Sequence, residues 1–591
     1  MNDSKIFSNL NGLGSYVLVD VDDEFIKIYQ DFNGCYGIYL YTDEEYFAIS
    51  NSFLYLVDFL KDKYSISFNR DYADAFLFSD LTSFAYGETL INEIEVLPRN
   101  YKVILNKKDV SLHFDEIDYK ERSVPLDSIE GIKILDRWYF KWINMLRNLK
   151  SKTNNIEIDL SGGYDTRIIT SLWLTANIDL NQIKIRSMNR DVHCIAEDYK
   201  IASQIAKEFN FKLNDNSMMN LDQYAFKDME TTFNISNYIK LGFHKQMYWR
   251  KSKFTQHYFS ISGNGGELLR TVYNLHTDDF VSSLLNHARS YDDSLVGPTK
   301  RLITSGLLKV QKKFNIGDFN SKELVERYYK EVRSRNYYGK AITEKYFSNV
   351  FTLCPLMDPD IHKIKIGNED FNDMHLLFIL ILLRYCPKLL DFEIEGGRRF
   401  DENTIKLAKK INEKYAFENI YVNELVSLDK LEKGNSNNKC NISNPDLLLK
   451  KIGDGNFFEV EFKKYYPPKL YNYLIADIRN RKFFPLTNLY SALAILQMID
   501  YTNFNSILNY NCAADWIQSF NEPPKSYCFL INSHKIEKYV TARVDLINRG
   551  GKNNFLEFID ISDDSAHVLF PNWFKTDDGS GSVITNPKKS N

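Results

Sequence analysis

One short stretch constrains the fold of this chain more than any other: IEIDLSGGYDTRIITSLWL, residues 156–174. Apolar alternation predicts a strand over residues 156–160, and the apolar periodicity that follows predicts a helix to about Thr175. Between them stands Ser-Gly-Gly at residues 161–163, with Asp165 two residues later. Two glycines let the backbone turn tightly between strand and helix, so that successive N–H groups face one anion. The stretch therefore predicts an anion-binding turn at the end of a strand.

The acidic residue in this turn indicates a metal. Asp165 would repel a phosphate directly, so we expect it to hold a Mg²⁺ ion that neutralises the phosphate. The hydroxyl groups of Ser161 and Thr166 can add hydrogen bonds. The alternative is a plain strand–turn–helix connection in which Asp165 caps the helix. The two commoner nucleotide loops, G-x-x-x-x-G-K-[ST] and G-x-G-x-x-G, are absent from the sequence.

A βα alternation continues beyond this turn. The segment IKIRSM (183–188) predicts a second strand, and CIAEDYKIASQIAKEFNF (194–211) predicts a helix. Strands and helices that alternate at these lengths are typical of a parallel sheet. The apolar face predicted for the helix comprises Ile201, Ala202, Ile205, Ala206 and Phe209.

The chain as a whole divides into three parts. Its 591 residues are too many for one hydrophobic core. Short strands predominate up to about residue 120, helices from Leu268 to about Tyr501, and strands again after residue 526. We therefore expect an α/β plus α+β chain with domains at 1–125, 126–505 and 506–591, the last a small β module with a loose tail.

Composition excludes several classes of protein. The net charge is −4 and no basic stripe is visible, which argues against nucleic-acid binding. The longest apolar run, residues 376–383, is far short of the ~20 residues that span a bilayer. The seven cysteines show no C-x-x-C spacing, and no secretory signal is recognisable, so we expect a reducing cytoplasm.

Residues 161–166 resemble the Ser-Gly-Gly-x-Asp-[Ser/Thr] pyrophosphate loop of ATP-pyrophosphatase enzymes, and within them that of the asparagine synthetase family. About 100 residues later, HYFSISGNGGELLRTVY (257–273) is similar to the second loop of the family, Ser-Gly-x-Gly-x-[Asp/Glu]. TLCPLMDPDI (352–361) resembles the Pro-Phe-Leu-Asp block of the family, and LTNLYSALAILQMIDY (486–501) resembles its closing helix. The resemblance covers roughly residues 125–505.

The resemblance implies a fold, a reaction and two cofactors, ATP and Mg²⁺. The fold would be an antiparallel glutaminase-like β sandwich with helices, followed by a parallel-sheet ATP-pyrophosphatase domain with a large helical part. A substrate carboxylate would attack the α-phosphate of ATP, and ammonia or a primary amine would then displace AMP. Asp165 and Glu267 would hold the metal. The positions implied to contact ATP are Leu160, Ser161, Gly162, Gly163, Tyr164, Asp165, Thr166, Ser187, Met188, Ser262, Gly263, Asn264 and Gly265.

Two departures from the family pattern concern the chemistry. Asn264 stands where the family has a carboxylate thought to handle the proton of the amine, and an amide cannot act as a base at neutral pH. The lysine segment of the family is not recognisable. Arg398, Arg399 or Lys406 in FEIEGGRRFDENTIK could supply the catalytic cation instead, although surface arginines are the alternative interpretation.

A third departure concerns glutamine. Glutamine-dependent members of the family begin Met-Cys, whereas here residue 2 is Asn and the first cysteine is Cys35, within a predicted strand. Ser50-Asn51 replaces the Arg-Asp pair of the family. We expect a glutaminase-like domain that has kept its fold and lost its activity.

The substrate is predicted more loosely. Divergent relatives with inactive front domains amidate uronic acids of capsule or O-antigen, and others close β-lactam or lasso-peptide rings. The 14% aromatic content and the extra C-terminal β module favour a uronic acid sugar, free or nucleotide-linked. A catalytically silent scaffold remains an alternative. A tRNA-modifying enzyme would need a cysteine near the loop and a basic face, and homo-oligomerisation is left open.

Overall fold

A computed structural model defines the architecture. It describes residues 17–21, 23–43, 46–50, 53–61, 64–77, 83–109, 111–187, 193–215, 258–339, 342, 350–365, 375–415, 457–480, 492, 495, 499, 528–532, 535–540, 566–568, 574–577 and 580–583.

Strands occur in both terminal parts and in the middle of the chain. They are β1 Val17–Val21, β2 Phe25–Gln30, β3 Tyr39–Thr42, β4 Tyr46–Ser50, β5 Ile94–Val96, β6 Tyr101–Asn106, β7 Leu112–Glu116, β8 Val124–Pro125, β9 Ile156–Asp159, β10 Lys184–Ser187, β11 Asn214–Asp215, β12 Tyr258–Ile261, β13 Val350–Leu353, β14 Ile364–Lys365, β15 Cys528–Asn532, β16 Lys535–Val540, β17 Ala566–Val568, β18 Phe574–Asp577 and β19 Ser580–Val583.

Helices dominate the middle of the chain. The α-helices are α1 Phe53–Leu60, α2 Arg70–Phe76, α3 Ile129–Lys152, α4 Tyr164–Thr175, α5 His193–Glu208, α6 Thr277–Tyr291, α7 Val296–Phe314, α8 Lys322–Tyr328, α9 Pro359–His362, α10 Leu376–Tyr385, α11 Glu402–Lys414, α12 Phe457–Tyr465 and α13 Pro468–Asn480. Helix α8 continues as π-helical turns over Tyr329–Arg333 and Arg335–Gly339.

A parallel sheet forms the centre of the fold, as the βα alternation predicts. Its strand order is β11-β10-β9-β12-β13, and every neighbouring pair is parallel. Strands β9 and β12 are direct neighbours, with Ile158 opposite Ile261. Because parallel strands end at the same edge, the turns that follow β9 and β12 lie side by side.

The core of this region packs helices against the sheet. Trp138 and Trp142 of α3 are almost fully buried in it, in one cluster with Ile158 and Ile261. Helix α10 is buried over residues 376–382, which confirms that this apolar run is a core helix. None of the helices in the described part of the chain is long and apolar enough to cross a membrane.

Antiparallel sheets occupy the N-terminal part of the chain, as predicted. Their strand orders are β17-β1-β2-β6-β7 and β16-β15-β4-β3-β5. The second core cluster joins α1 and α2 to α7 and α8, with Phe53, Phe76, Ile303 and Tyr328 buried together. The N-terminal part therefore shares a hydrophobic core with the central helices.

The C-terminal strands differ from the separate β module expected over residues 506–591. Strand β15 pairs with β4, placing Phe529 opposite Ile49, and β17 pairs with β1, placing His567 opposite Val19. They extend the two N-terminal sheets, where pairing satisfies backbone groups that an open edge would leave exposed. The strand predicted at residues 554–561 lies outside the described residues.

Two further expectations, a strand at Cys35 and a helix over residues 486–501, have different outcomes. Cys35 is not in a strand, because it lies in a turn before β3 in which its N–H donates to Asp31 Oδ1 at 3.0 Å. The helix expected over 486–501 is described at three positions, Ala492, Ile495 and Ile499, each helical and buried.

Candidate functional site

The first loop lies between β9 and α4, as the sequence predicts. Leu160 is buried, and its N–H continues the sheet by donating to Arg186 O at 2.9 Å. Gly163 is the residue that precedes helix α4, and no side chain caps the helix there. Asp165 therefore stands in the first turn without capping it, which removes the plain helix-cap interpretation of this acid.

The N–H groups of this loop have partners within the protein. Ser161 N–H donates to Thr166 Oγ1 and Gly163 N–H donates to Ser161 Oγ, each at 3.1 Å. Gly162 N–H donates to Asp198 Oδ1 of helix α5 at 2.7 Å. A phosphate at these amides would have to replace these bonds, so the predicted phosphate contacts remain predictions.

The second loop follows the neighbouring strand β12. Ser262 is buried, and its Oγ accepts the N–H of Asn264 at 3.2 Å. Gly265 has φ +93°, a conformation that other residues rarely adopt. A 3₁₀ turn over Gly266–Leu269 then carries Glu267, whose relative exposure is 5%.

The two loops touch through their glycines. A Cβ at Gly263 would lie 2.9 Å from the backbone carbon of Asp165, and a Cβ at Gly266 would overlap Asp165 Oδ1. The motifs around Asp165 and Glu267 are thus in contact although about 100 residues separate them. This proximity is the relationship that the second motif predicts.

The two carboxyl groups lie in an unfavourable environment for negative charge. Burial raises the pKa of Asp165 to about 6, while Arg270 acts in the opposite direction. Burial and the charge of Asp165 together raise the pKa of Glu267 to about 8. Asp165 Oδ1 and Glu267 Oε1 are buried and have no hydrogen-bond partner among the described residues. A divalent cation would relieve this electrostatic cost.

The two carboxyl groups of Asp165 and Glu267 suit a Mg²⁺ ion that also binds substrate phosphates better than they suit a metal ion bound by protein side chains alone. Within the described ranges, no group of three or more histidine, cysteine, aspartate or glutamate side chains could hold a metal. Mg²⁺ is commonly bound by one or two carboxylates together with the phosphates of a substrate. Asp165 and Glu267 fit that second arrangement.

A cation that the sequence analysis missed lies beside these carboxylates. Arg270 Nε is 3.9 Å from Asp165 Oδ1, and its guanidinium lies over the ring of Tyr164 with Cζ at 5.8 Å from the centroid. Arg270 follows Glu267 by three residues and ends this 3₁₀ turn in an extended conformation. That spacing is the signal that could have identified it.

An aromatic stack adjoins Arg270. The rings of Tyr164 and His375 are stacked at 4.0 Å, and the ring of Phe400 meets that of Tyr164 at 5.4 Å. Burial, together with the charges of Arg270 and Arg398, lowers the pKa of His375 to about 4. The imidazole is therefore neutral at physiological pH.

The predicted cations fall into two groups. Arg398 acts electrostatically on His375, and its Nε donates to Glu395 O at 2.7 Å. Arg399 is paired with Glu393 at 3.5 Å, and its side chain is 71% exposed. Lys406 is exposed on helix α11. All three side chains are exposed, and Arg398 is the one whose charge acts on His375.

A buried arginine connects the segment of residues 389–393 to the first loop. The guanidinium of Arg167, in helix α4, donates to Gly162 O at 3.2 Å and to Glu393 O at 2.6 Å. It also donates to Leu389 O and Phe392 O. Sequence reasoning missed this contact because Arg167 directly follows the motif, whereas its partners lie more than 220 residues away or on the loop itself.

Two tyrosines of the π-helical turns interact electrostatically with Glu267. The charge of Glu267 is among the causes that raise the pKa of Tyr329 and of Tyr338 well above the usual value, burial being the largest cause. Both hydroxyl groups are therefore neutral, and they can act only as neutral hydrogen-bond donors or acceptors. π-Helical turns are rare and are frequently found at functional sites.

The structure describes two of the three remaining positions that the resemblance implies to contact ATP, Leu160, Ser187 and Met188. Leu160 and Ser187 are buried at the ends of β9 and β10, and Ser187 Oγ has no hydrogen-bond partner in the described structure. Met188 lies outside the described residues.

Comparisons with known proteins leave the family open. No protein-family model matches the chain, and no curated protein matches it significantly.

Proposed function

We propose that this chain is an ATP-dependent amide synthetase that activates a substrate carboxylate as an acyl-adenylate. The acyl group would then pass to ammonia or a primary amine, with release of AMP and pyrophosphate. The observation that carries the proposal is the contact between the Asp165 and Glu267 loops at one edge of the parallel sheet. Ligands in open α/β sheets bind at this edge.

The buried carboxylates support a magnesium-dependent reaction. Asp165 and Glu267 would hold Mg²⁺, which when bound supplies positive charge for the triphosphate and the leaving pyrophosphate. The protein would contribute hydrogen bonds from the loop of residues 161–166 and charge from Arg270. Arg270 already lies beside Asp165 and would need little rearrangement as negative charge develops, whereas the loop N–H groups would first have to exchange their present partners.

Arg398 is the best candidate for the cation that acts on the reacting groups. The charge of Arg398 lowers the pKa of His375, whose ring is stacked on that of Tyr164 in the first loop. Arg167 fixes the preceding segment of residues 389–393. We expect Arg398 to neutralise either the α-phosphate or the substrate carboxylate as the two react.

Asn264 and Cys35 indicate which amine the proposed reaction would use. Asn264 cannot take a proton from an ammonium ion, so the amine would react after losing its proton to solvent or to another group. Cys35 is buried in a turn held by Asp31 and is not an N-terminal nucleophile. The chain would therefore use free ammonia or a small amine, without hydrolysing glutamine.

A uronic acid sugar, free or nucleotide-linked, is the proposed carboxylate substrate, in the synthesis of a capsule or O-antigen polysaccharide in the cytoplasm. The support is the aromatic content of the chain together with the Tyr164, His375 and Phe400 stack beside the carboxylates. Aromatic faces pack well on the apolar faces of sugars. A cyclising synthetase would act on a peptide or amino-acid carboxylate instead.

The experiment is AMP release from ATP by the full chain over a matrix of substrates. The carboxylates are nucleotide-linked uronates, simple glycoside uronates and short peptides, and the amines are ammonium, ethanolamine, serinol and glutamine. Asp165→Asn serves as the blank.

Three results are informative. AMP formed with a uronate and a free amine, but not with glutamine, would support the proposal in full. AMP formed with a peptide alone would support the cyclising alternative. Tight ATP binding without AMP from any pair would favour a silent scaffold.

A further inference from the structure

A carboxylate from helix α5 accepts the N–H of Gly162, the first glycine of the Ser-Gly-Gly turn. Gly162 N–H donates to Asp198 Oδ1 at 2.7 Å, a length typical of a charge-assisted hydrogen bond. The contact is close-packed, because a Cβ at Gly162 would lie 2.8 Å from that oxygen and 2.7 Å from Ile201 Cδ1. Asp198 thus contacts the loop at the position where the proposed pyrophosphate would accept a hydrogen bond.

The surroundings of Asp198 are acidic. The negative charges of Glu395 and of Glu197, which is on the same helix, raise the pKa of Asp198. The hydrogen bond from the Gly162 N–H lowers it. Burial is the largest cause that raises the pKa of Asp198, and these two acids add to it. The hydrogen bond from Gly162 is therefore the contact that favours the ionised carboxylate.

We propose that Asp198 is an internal competitor of the nucleotide: its carboxylate binds the Gly162 N–H in the free protein and must leave that N–H when the phosphates of MgATP bind. A single N–H cannot donate a full hydrogen bond to two anions, and a carboxylate held beside a phosphate repels it. Asp198 would weaken nucleotide affinity and promote release of pyrophosphate. This inference rests on the proposed nucleotide site.

The test measures binding of MgATP and of magnesium pyrophosphate to the full chain by isothermal titration calorimetry. Asp198→Asn keeps an oxygen for the Gly162 N–H but removes the charge, and Asp198→Ala removes both. Glu197→Gln is the matched control, because it removes one charge from the neighbouring position of the same helix. The Glu197 carboxylate accepts the N–H of Gly397 at 3.1 Å, whereas the Gly162 N–H donates to Asp198.

Competition predicts tighter binding in both Asp198 variants, by about tenfold in Kd, the scale of one charge-assisted hydrogen bond, and a smaller change in Glu197→Gln. A structural role for Asp198 would instead leave affinity equal or weaker in Asp198→Asn and weaker still in Asp198→Ala. An equal gain in affinity in Glu197→Gln would show that removing any nearby negative charge is enough to tighten binding. Either result overturns the inference. Absence of binding to all four proteins, wild type included, would overturn the proposed nucleotide site itself.

Discussion

Gly266 lies so close to Asp165 that a methyl group on its Cα would overlap the Asp165 carboxylate oxygen Oδ1. The second loop therefore reaches the first only because this residue is glycine. The contact joins two motifs of the sequence into one site, and it makes the site sensitive to a single carbon atom.

Gly266→Ala should displace the Asp165 carboxylate and impair the metal site. Overpacking of this kind costs about 1–3 kcal/mol, so we expect MgATP affinity to fall by roughly one to two orders of magnitude. Gly317→Ala is the control, because a Cβ there meets no atom within 4 Å. Equal MgATP affinities for the two variants would show that the loops do not form a common site.

The buried acid Glu267 should make the metal-free protein less stable as the pH rises. Its pKa is about 8 in the folded chain, against an ordinary value of 4.5, so between these values the folded state binds more protons than the unfolded state. The free energy of unfolding then falls from pH 4.5 towards pH 8 by about a few kcal/mol.

Glu267→Gln should flatten this dependence in EDTA, and MgATP should raise the Tm of the wild type at pH 8 but not that of the variant. Thermal unfolding between pH 5 and pH 8.5 provides the measurement. Parallel Tm curves for the two proteins would mean that Glu267 is not the group responsible.

Arg398 and Arg399 should differ in their effects on catalysis. Both side chains are exposed, but the charge of Arg398 lowers the pKa of His375, whereas Arg399 is paired with Glu393. Removing one preorganised charge from an active site lowers kcat by about 10²–10³-fold, so Arg398→Ala should reduce AMP formation by that order. Arg399→Ala should leave it nearly unchanged, since exposed ion pairs contribute little. A larger loss in Arg399→Ala would reverse the assignment.

Arg167 should contribute more to stability than an ordinary arginine of the same region. Its guanidinium donates to four backbone carbonyl groups, whereas Arg147 donates to Ala176 O. Arg167→Met should lower the free energy of unfolding by about 3 kcal/mol or more, because several buried acceptors lose their donor. Arg147→Met should cost distinctly less. Urea unfolding of the two variants tests the difference, and equal midpoints would contradict it.

Much of the central fold follows from local sequence. The strand and helix around residues 156–175 and the strand before Ser262 are present as expected, because apolar periodicity and glycine punctuation are local properties. The buried run at residues 376–382 is predictable for the same reason.

The turn at Cys35 and the long-range pairing of strands were not predictable in the same way. Cys35 belongs to an apolar segment that resembles a strand, yet the Asp31 carboxylate accepts the N–H groups of Asn33, Cys35 and Tyr36 and folds the segment into a turn. The pairing of β15 with β4 joins residues more than 475 apart. No local pattern carries that information.

The same limit applies to the site. Asp165 and Glu267 could be identified because each lies in a glycine-rich motif. Arg167 and Asp198 could not, because their importance depends on neighbours in space. A search for charged residues one helical turn from each motif would have found Arg270.

The measurement that tests the account most directly is MgATP binding by the wild type, Asp165→Asn and Glu267→Gln, each in Mg²⁺ and in EDTA. Two buried carboxylates that share a cation predict binding by the wild type in Mg²⁺, with loss of that binding in EDTA and in both variants. Circular dichroism of each protein controls for folding. Undiminished binding by both folded variants, or binding by the wild type that does not depend on Mg²⁺, would contradict the role assigned to Asp165 and Glu267.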